Sequence, residues 1–316
     1  MKKSVALAVM MATLLSTGNV LAANQVNVNV DPGTTVNVNV SQPAKAVGEV
    51  ANWEKGAGAD IVEMGTGAVN PKFKGAQAKL MARRAAMVDC YRNLLQQVKE
   101  LQVSADTNVE DLMATSDVVN TKISGAIKGA KIIEEGEEGS GENYYYWVRM
   151  SMPLFGSNSV AAAALPEVMK STPNAQPPME VTPKTTSMPK EEFKAVQQEV
   201  KSAGYSGIVI DATGKGLECT MAPQILDTNG RAVYGMENID VNFAVSNGLV
   251  GYSKSMQDVV RAGNNPLVIK ANGVKGGTNS VNPVNVVVSP EDADKILLAA
   301  QNNPNIFKSG AVVFVR

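Results

Sequence analysis

The residues best equipped for chemistry sit in two turns of the C-terminal half. Asp211-Ala212-Thr213-Gly214-Lys215-Gly216 comes after a strand-like run and holds the ingredients of a phosphate-cradling loop. The Gly-x4-Gly-Lys-Ser/Thr spacing is absent, and the run beyond Gly216 reads as another strand, so no helix N-terminus waits for a phosphate. A plain turn is the better reading. Asp227-Thr228-Asn229-Gly230 opens like a calcium loop but lacks the later oxygen ligands and the closing glutamate, so it reads as a hairpin turn. Glu134, Glu135, Glu137 and Glu138 form an acidic run among glycines; such runs are usually solvated, and this one reads as a loop between strands.

Composition removes more. The chain of 316 residues has no histidine, which excludes Ser-His and Cys-His nucleophilic sites and the commonest ligand for catalytic transition metals. No catalytic residue, cofactor site or metal site is assigned, and the chain reads as a non-enzyme. The net charge is −1, or −3 without Lys2 and Lys3, and no dense Lys/Arg stripe exists, so nucleic acid is not an expected partner. The two cysteines, Cys90 in a helical pattern and Cys219 in a strand-like one, read as buried free thiols, with an inter-domain disulfide as the alternative.

Two segments read as partner-binding. In Asn24 to Val40, two Val-Asn-Val-Asn-Val copies flank Asp31-Pro32-Gly33-Thr34-Thr35, a hairpin pattern whose Val26, Val28, Val30, Val36, Val38 and Val40 share one face. A lone hairpin is marginal in water, so strand addition to another subunit is one reading; packing on its own domain or a disordered leader is the other. In the aromatic run, Tyr144, Tyr146, Val148, Met150 and Met152 alternate with Tyr145, Trp147, Arg149 and Ser151. If the first set covers a helix, Tyr145, Trp147 and Arg149 point outward, and these types are enriched at interface hot spots.

The elements that would position these residues fall into five segments. Residues 1–22 read as a signal peptide, with Lys2 and Lys3 before a short apolar run and Val20-Leu21-Ala22 at the cleavage site. Residues 23–49 are the hairpin or leader. Residues 50–155 form the first domain, a glycine-punctuated strand near 62–69, a helix over 75–101 with an alanine-rich stripe, and strands near 130–135 and 144–154. Residues 156–189, which hold six of the fifteen prolines, read as an extended Ala/Pro/Ser/Thr-rich linker. Residues 190–316 form a second domain, with a helix after Pro189 stopped by Gly204, a strand at 207–212, a hairpin of 217–226 with 231–234, strands at 267–271 and 284–288, a helix capped by Ser289-Pro290, and a buried strand at 310–315. The fold class is α+β, with two small sheet-and-helix domains. No mature stretch reaches 18 apolar residues, so no transmembrane segment is expected. The address is the periplasm, with outer-membrane association as its finer form.

Trp53, Gly56, Gly58, Gly65 and Gly67, then Ala82-Arg83-Arg84-Ala85-Ala86 with Asp89, Tyr91-Arg92-Asn93-Leu94 and Val98, then Gly125, Gly129-Ala130 and Tyr146-Trp147-Val148-Arg149-Met150 carry a family resemblance. Residues of about 50–155 resemble the Lpp-twenty-like domain of small bacterial outer-membrane lipoproteins, which also occurs in the flagellar proteins FlgP and FlgT. The resemblance implies a helix packed on a sheet, a structural role in cell-surface or flagellar outer-membrane rings, and no active site. The lipoprotein cysteine is missing here, so no lipid anchor is expected, and Cys90 stands where the family has a small residue. Together these readings point to an exported cell-envelope protein with a structural or assembly role, associating with itself or with envelope proteins. The alternative is a periplasmic ligand-binding or enzymatic module in the C-terminal domain, using Asp211, Lys215 and Asp227 on a cell-wall saccharide or peptide.

Overall fold

The computed structural model describes residues 26–31, 34–38, 51–69, 72–140, 143–171 and 180–316. The expected signal peptide and Val40 lie outside the described residues. The hairpin is present as strands β1 (Val26–Asp31) and β2 (Thr34–Val38), antiparallel, with Val26 opposite Val38 and Val28 opposite Val36. It belongs to a unit of its own, Met1–Glu49, while Val50–Arg316 forms the other.

In the larger unit, β3 (Asp60–Ala68) leads to the long helix α1 (Gly75–Glu100), whose buried residues recur every fourth position at Ala78, Ala82, Ala86, Cys90, Leu94 and Val98. That spacing makes one ridge along the helix. Helices α2 (Val109–Thr115) and α3 (Asp117–Lys128) come next, then β4 (Lys131–Glu138) and β5 (Tyr145–Pro153). The three strands form an antiparallel sheet in the order β3-β5-β4, with α1 lying on it. The acidic run is therefore strand β4, not a loop. Its alternating residues find partners on both faces, which a loop would not have supplied.

The expected linker is also structured over much of its length. Helix α4 (Val160–Ser171) buries Val160, Ala161, Ala163, Ala164 and Leu165, and Ser159 Oγ accepts the Ala162 N–H at its start. The small alanines that suggest a spacer are strong helix formers, and they also let α4 pack closely. Further on, Thr186 and Ser187 donate to the Asp294 carboxylate.

The second half begins with α5 (Lys190–Ala203), ended by left-handed Gly204 as expected, and β6 (Gly207–Asp211). Then come β7 (Ile225–Asp227), β8 (Ala232–Tyr234), α6 (Val241–Asn247), β9 (Gly251–Ser253), β10 (Pro266–Lys270), β11 (Gly273–Lys275) and β12 (Asn285–Val288). Helices α7 (Pro290–Asn302) and α8 (Asn305–Lys308) precede β13 (Val312–Val315). One sheet is wholly parallel, β10-β6-β13-β9; the other is mixed, β11-β12-β7-β8. The strand expected over 217–226 is present only from Ile225. The preceding residues turn away to meet the first half, where the Met221 and Ala222 N–H groups donate to the Gln102 and Val103 carbonyls. The class is α+β, in two sheet-and-helix halves.

The halves share one core. Trp53, 5% exposed, meets Phe155 and Tyr252 edge-on at centroid distances of 6.2 and 5.7 Å, and Tyr252 continues the series to Phe314 at 6.1 Å. Glu54 beside it binds Arg316 and Lys254 at 3.2 and 3.3 Å. Burial opposes ionisation there, yet a backbone hydrogen bond and the two cations hold the Glu54 carboxyl below its ordinary range. Within the second half, Arg231 bonds Asp227 at 2.9 Å and Asp294 at 2.8 Å, with both carboxylates buried.

Trp53→Ala leaves a large cavity between the halves and should lower stability by about 3–5 kcal/mol. Urea unfolding of the wild type, followed by far-UV circular dichroism, should remain a single transition, and two separated transitions would contradict the shared core. Asp294→Ala leaves Arg231 with Asp227 as its remaining carboxylate and removes the acceptor of Thr186 and Ser187, and should destabilise by about 2–3 kcal/mol at neutral pH. Burial raises the Asp294 pKa, but hydrogen bonds from Thr186, Arg231 and Ser187 outweigh it and leave it depressed. Its contribution is therefore present above about pH 4, the unfolded value, and is lost as pH falls through the folded value. The stability gap between wild type and Asp294→Ala should narrow on acidification below about pH 4.

Candidate functional site

The N-terminal sheet is built around two bare positions. A Cβ on Gly65 would stand 2.1 Å from the Cys90 nitrogen, and one on Gly67 would stand 2.1 Å from the Ala82 carbonyl oxygen. Glycine at both places lets α1 press backbone to backbone on β3. From there Asn93 Nδ2 donates to the Met64 carbonyl at 2.7 Å, and Asp89 accepts the Thr66 N–H at 2.9 Å. These side chains occupy backbone groups of an edge strand that would otherwise face outward. Cys90 is fully buried against the Glu63 carbonyl, and burial pushes its thiol up to about 11, which makes it unreactive. Neither cysteine is in a disulfide, and Cys219 is half-buried outside any strand.

The same helix reaches the far strand. Arg83 pairs with Glu135 at 2.7 Å and Lys79 with Glu137 at 2.9 Å, both across the helix-covered face. The Arg83 hydrogen bond holds Glu135 below the usual carboxylate range. Tyr144 also bonds Glu137, and desolvation followed by that contact pushes the phenol up to about 12.

Val148, Met150 and Met152 of β5 are fully buried beneath α1, as the alternation predicts, with Tyr146 half-buried on the same side. Tyr145, Trp147 and Arg149 lie on the opposite face, Tyr145 and Trp147 half-buried and Arg149 exposed. Each is tied across the strands to β4. Arg149 pairs with Glu134 at 2.9 Å, and the Tyr145 hydroxyl donates to Glu138 at 2.5 Å. The Trp147 ring covers Gly136, where a Cβ would stand 2.7 Å from Cζ2. An aromatic laid over a cross-strand glycine shields a weak point in a strand and fixes the register. The outward row is thus a pre-ordered surface of indole, phenol and guanidinium. Beside it β4 is an eight-residue edge strand with seven exposed positions, including Ile133 at 53%.

The C-terminal candidates do not converge. Asp211 sits in the parallel sheet and accepts the Thr213 N–H at 3.0 Å; hydrogen bonds from Thr213 hold its carboxyl below the ordinary range. Lys215 lies in the turn beyond, and no helix comes after Gly216. Asp227 belongs to the mixed sheet and is 3% exposed, engaged by Arg231 and by the N–H groups of Asn229 and Arg231. No hydrogen bond or ion pair links the three, so they do not form a joint site. Among the described residues, no group of three or more Cys, Asp or Glu is arranged to hold a metal.

Residues 56–150 match the LPP20 lipoprotein family, and residues 207–316 match the second domain of Treponema pallidum Tp0624. No curated protein matches the chain. The first match bears out the resemblance to the Lpp-twenty-like domain over residues 56–150, without the link to FlgP and FlgT, and is consistent with an exported, envelope-associated protein. It also corrects the expectation of no lipid anchor, because the family is one of lipoproteins by its own description. That expectation rests only on the absence of cysteine from residues 1–50. No described helix is long and apolar enough to cross a membrane.

Gly136→Ala should lift the Trp147 ring off β4 while the fold survives, at a cost of about 1 kcal/mol. Tryptophan emission should shift to the red, since Trp53 stays buried and reports no change; unchanged emission would mean the ring does not rest on Gly136.

Proposed function

We propose that the protein is a non-enzymatic structural component of the cell envelope that assembles through the open side of its N-terminal sheet. One observation carries this reading. On the β3 edge Asp89 and Asn93 of α1 engage two backbone groups, whereas the β4 edge is open, next to an outward row of Tyr145, Trp147 and Arg149. An edge strand with a rigid aromatic and arginine row beside it offers backbone pairing for affinity and side chains for selectivity. The hairpin strands, carrying Val26, Val28, Val30, Val36 and Val38, supply the second assembly element, since an isolated two-stranded ribbon is marginal in water. The lipoprotein-family match supports the envelope setting. A place in the flagellar basal body is the narrower form of the reading, and it rests on the sequence resemblance to flagellar proteins.

Light scattering tests the assembly role. The protein should form a defined oligomer, and Trp147→Ala with Arg149→Glu should reduce it to monomer while circular dichroism is unchanged. Arg149→Glu places an acid opposite Glu134, so repulsion adds to the lost contact. Removal of residues 23–40 should weaken the same oligomer. A wild-type monomer at every concentration, with no envelope protein retained on the wild type that the double variant loses, would overturn the proposal.

A further inference from the structure

A cleft of about 470 Å³ opens where the loop after α1 meets the mixed sheet of the second half. This is within the usual range for small-molecule sites. Its floor is apolar, from Ala222, Leu226 and Met236, all buried. Its walls are held by contacts between the halves. The Asp106 carboxylate accepts the Thr278 and Asn279 N–H groups at 3.0 and 2.6 Å, and a Cβ on Gly277 would stand 2.1 Å from that carboxylate. Asn285, 2% exposed, accepts the Gln224 N–H at 2.9 Å and donates to the Gly276 carbonyl at 3.3 Å. The backbone around the cleft is therefore fixed before any ligand arrives.

Against those engaged groups, five lining side chains have no hydrogen bond or ion pair with any described residue. They are the Lys275 ammonium, the Glu237 carboxylate, the Gln224 amide and the Ser104 and Thr278 hydroxyls. Opposite charges line one cleft without pairing with each other. A simple anion entering it would meet Glu237 and Asp106, and a simple cation would meet Lys275. A saccharide would find no aromatic ring among the lining residues on which to stack. A ligand that carries both charges, with amide groups between them and small apolar side chains, meets every free group and the apolar floor.

We propose that this cleft binds a short linear peptide by its two charged ends, the carboxylate at Lys275 and the amino group at Glu237. Gln224 and Ser104 then face the peptide's amides. The site is separate from the sheet surface proposed for assembly, and neither depends on the other.

The test titrates the full chain with trialanine and, in parallel, with its N-acetylated, C-amidated form, reading thermal stability and backbone amide chemical shifts. Trialanine should raise the melting temperature saturably, as any ligand of the folded state does, and should shift amide signals around Lys275 and Glu237. The capped peptide should bind at least about tenfold more weakly. Glu237→Gln and Lys275→Ala, both at accessible positions, should each weaken trialanine binding by about tenfold or more, while Lys275→Arg should retain it. Equal binding of the capped peptide, full binding by both charge-removing variants, or no saturable response to trialanine at millimolar concentration would each overturn the proposal.

Discussion

The contact on which the N-terminal half depends is the approach of α1 to β3 at Gly65 and Gly67. With any side chain at those positions the helix would stand farther off. At that greater distance Asp89 and Asn93 would no longer reach the Thr66 and Met64 backbone groups, and Lys79 and Arg83 would not span the sheet to β4. One close approach thus fixes the engaged β3 edge, the burial of Val148, Met150 and Met152, and the side from which the outward row faces solvent. Ala82 and Ala86 are its complement on the helix, since larger residues there would undo what the glycines permit.

The two halves are joined by an equally specific arrangement. Trp53 precedes the first strand of its sheet in the chain, yet its ring packs edge-on against Tyr252, whose strand belongs to the parallel sheet of the other half. Around it the contacts are polar and directional, with Glu54 between two cations and the Gln102 and Val103 carbonyls taking backbone donors from Met221 and Ala222. Apolar area supplies the attraction, and these bonds fix the geometry. The stretch that ends at Ser187 is likewise held, because Asp294 cannot remain charged in the core without the hydroxyls of Thr186 and Ser187 and the Arg231 guanidinium.

Much of this architecture is legible in local patterns. The fourth-residue stripe of α1, the alternation in β5, the left-handed Gly204 and the Ser289-Pro290 start each depend on backbone periodicity or capping, which are set by near neighbours. Helices α2 and α3 are missing from the sequence reading although their signals are present: Asn108 and Asp111 form a capping box, Ser116 caps the next helix, and Val119, Ile123 and Ile127 share a face. The alanines of α4 mislead because the surrounding prolines suggest a spacer, and only the partner surface shows that they pack. Of the candidate surface, the direction of Tyr145, Trp147 and Arg149 is readable from alternation alone. Their cross-strand partners are not, since the pairing of β4 with β5 depends on a bulge near Ile132 and Glu134 that no short pattern announces. The cleft beside Asp106 is invisible for a stronger reason. Its walls come from segments about 170 positions apart.

The unequal edges of the first sheet also set a limit on growth. Indefinite extension of a sheet from copy to copy needs two available edges per copy, one to receive and one to offer. Here Asp89 and Asn93 of α1 take up two backbone groups of one edge, and the acids of β4 discourage pairing between two identical open edges. Sheet-to-sheet pairing of this unit with a second copy of itself is consequently disfavoured at both edges. A strand added at β4 would have to come from outside this sheet, and any larger closed array must draw its remaining contacts from other surfaces.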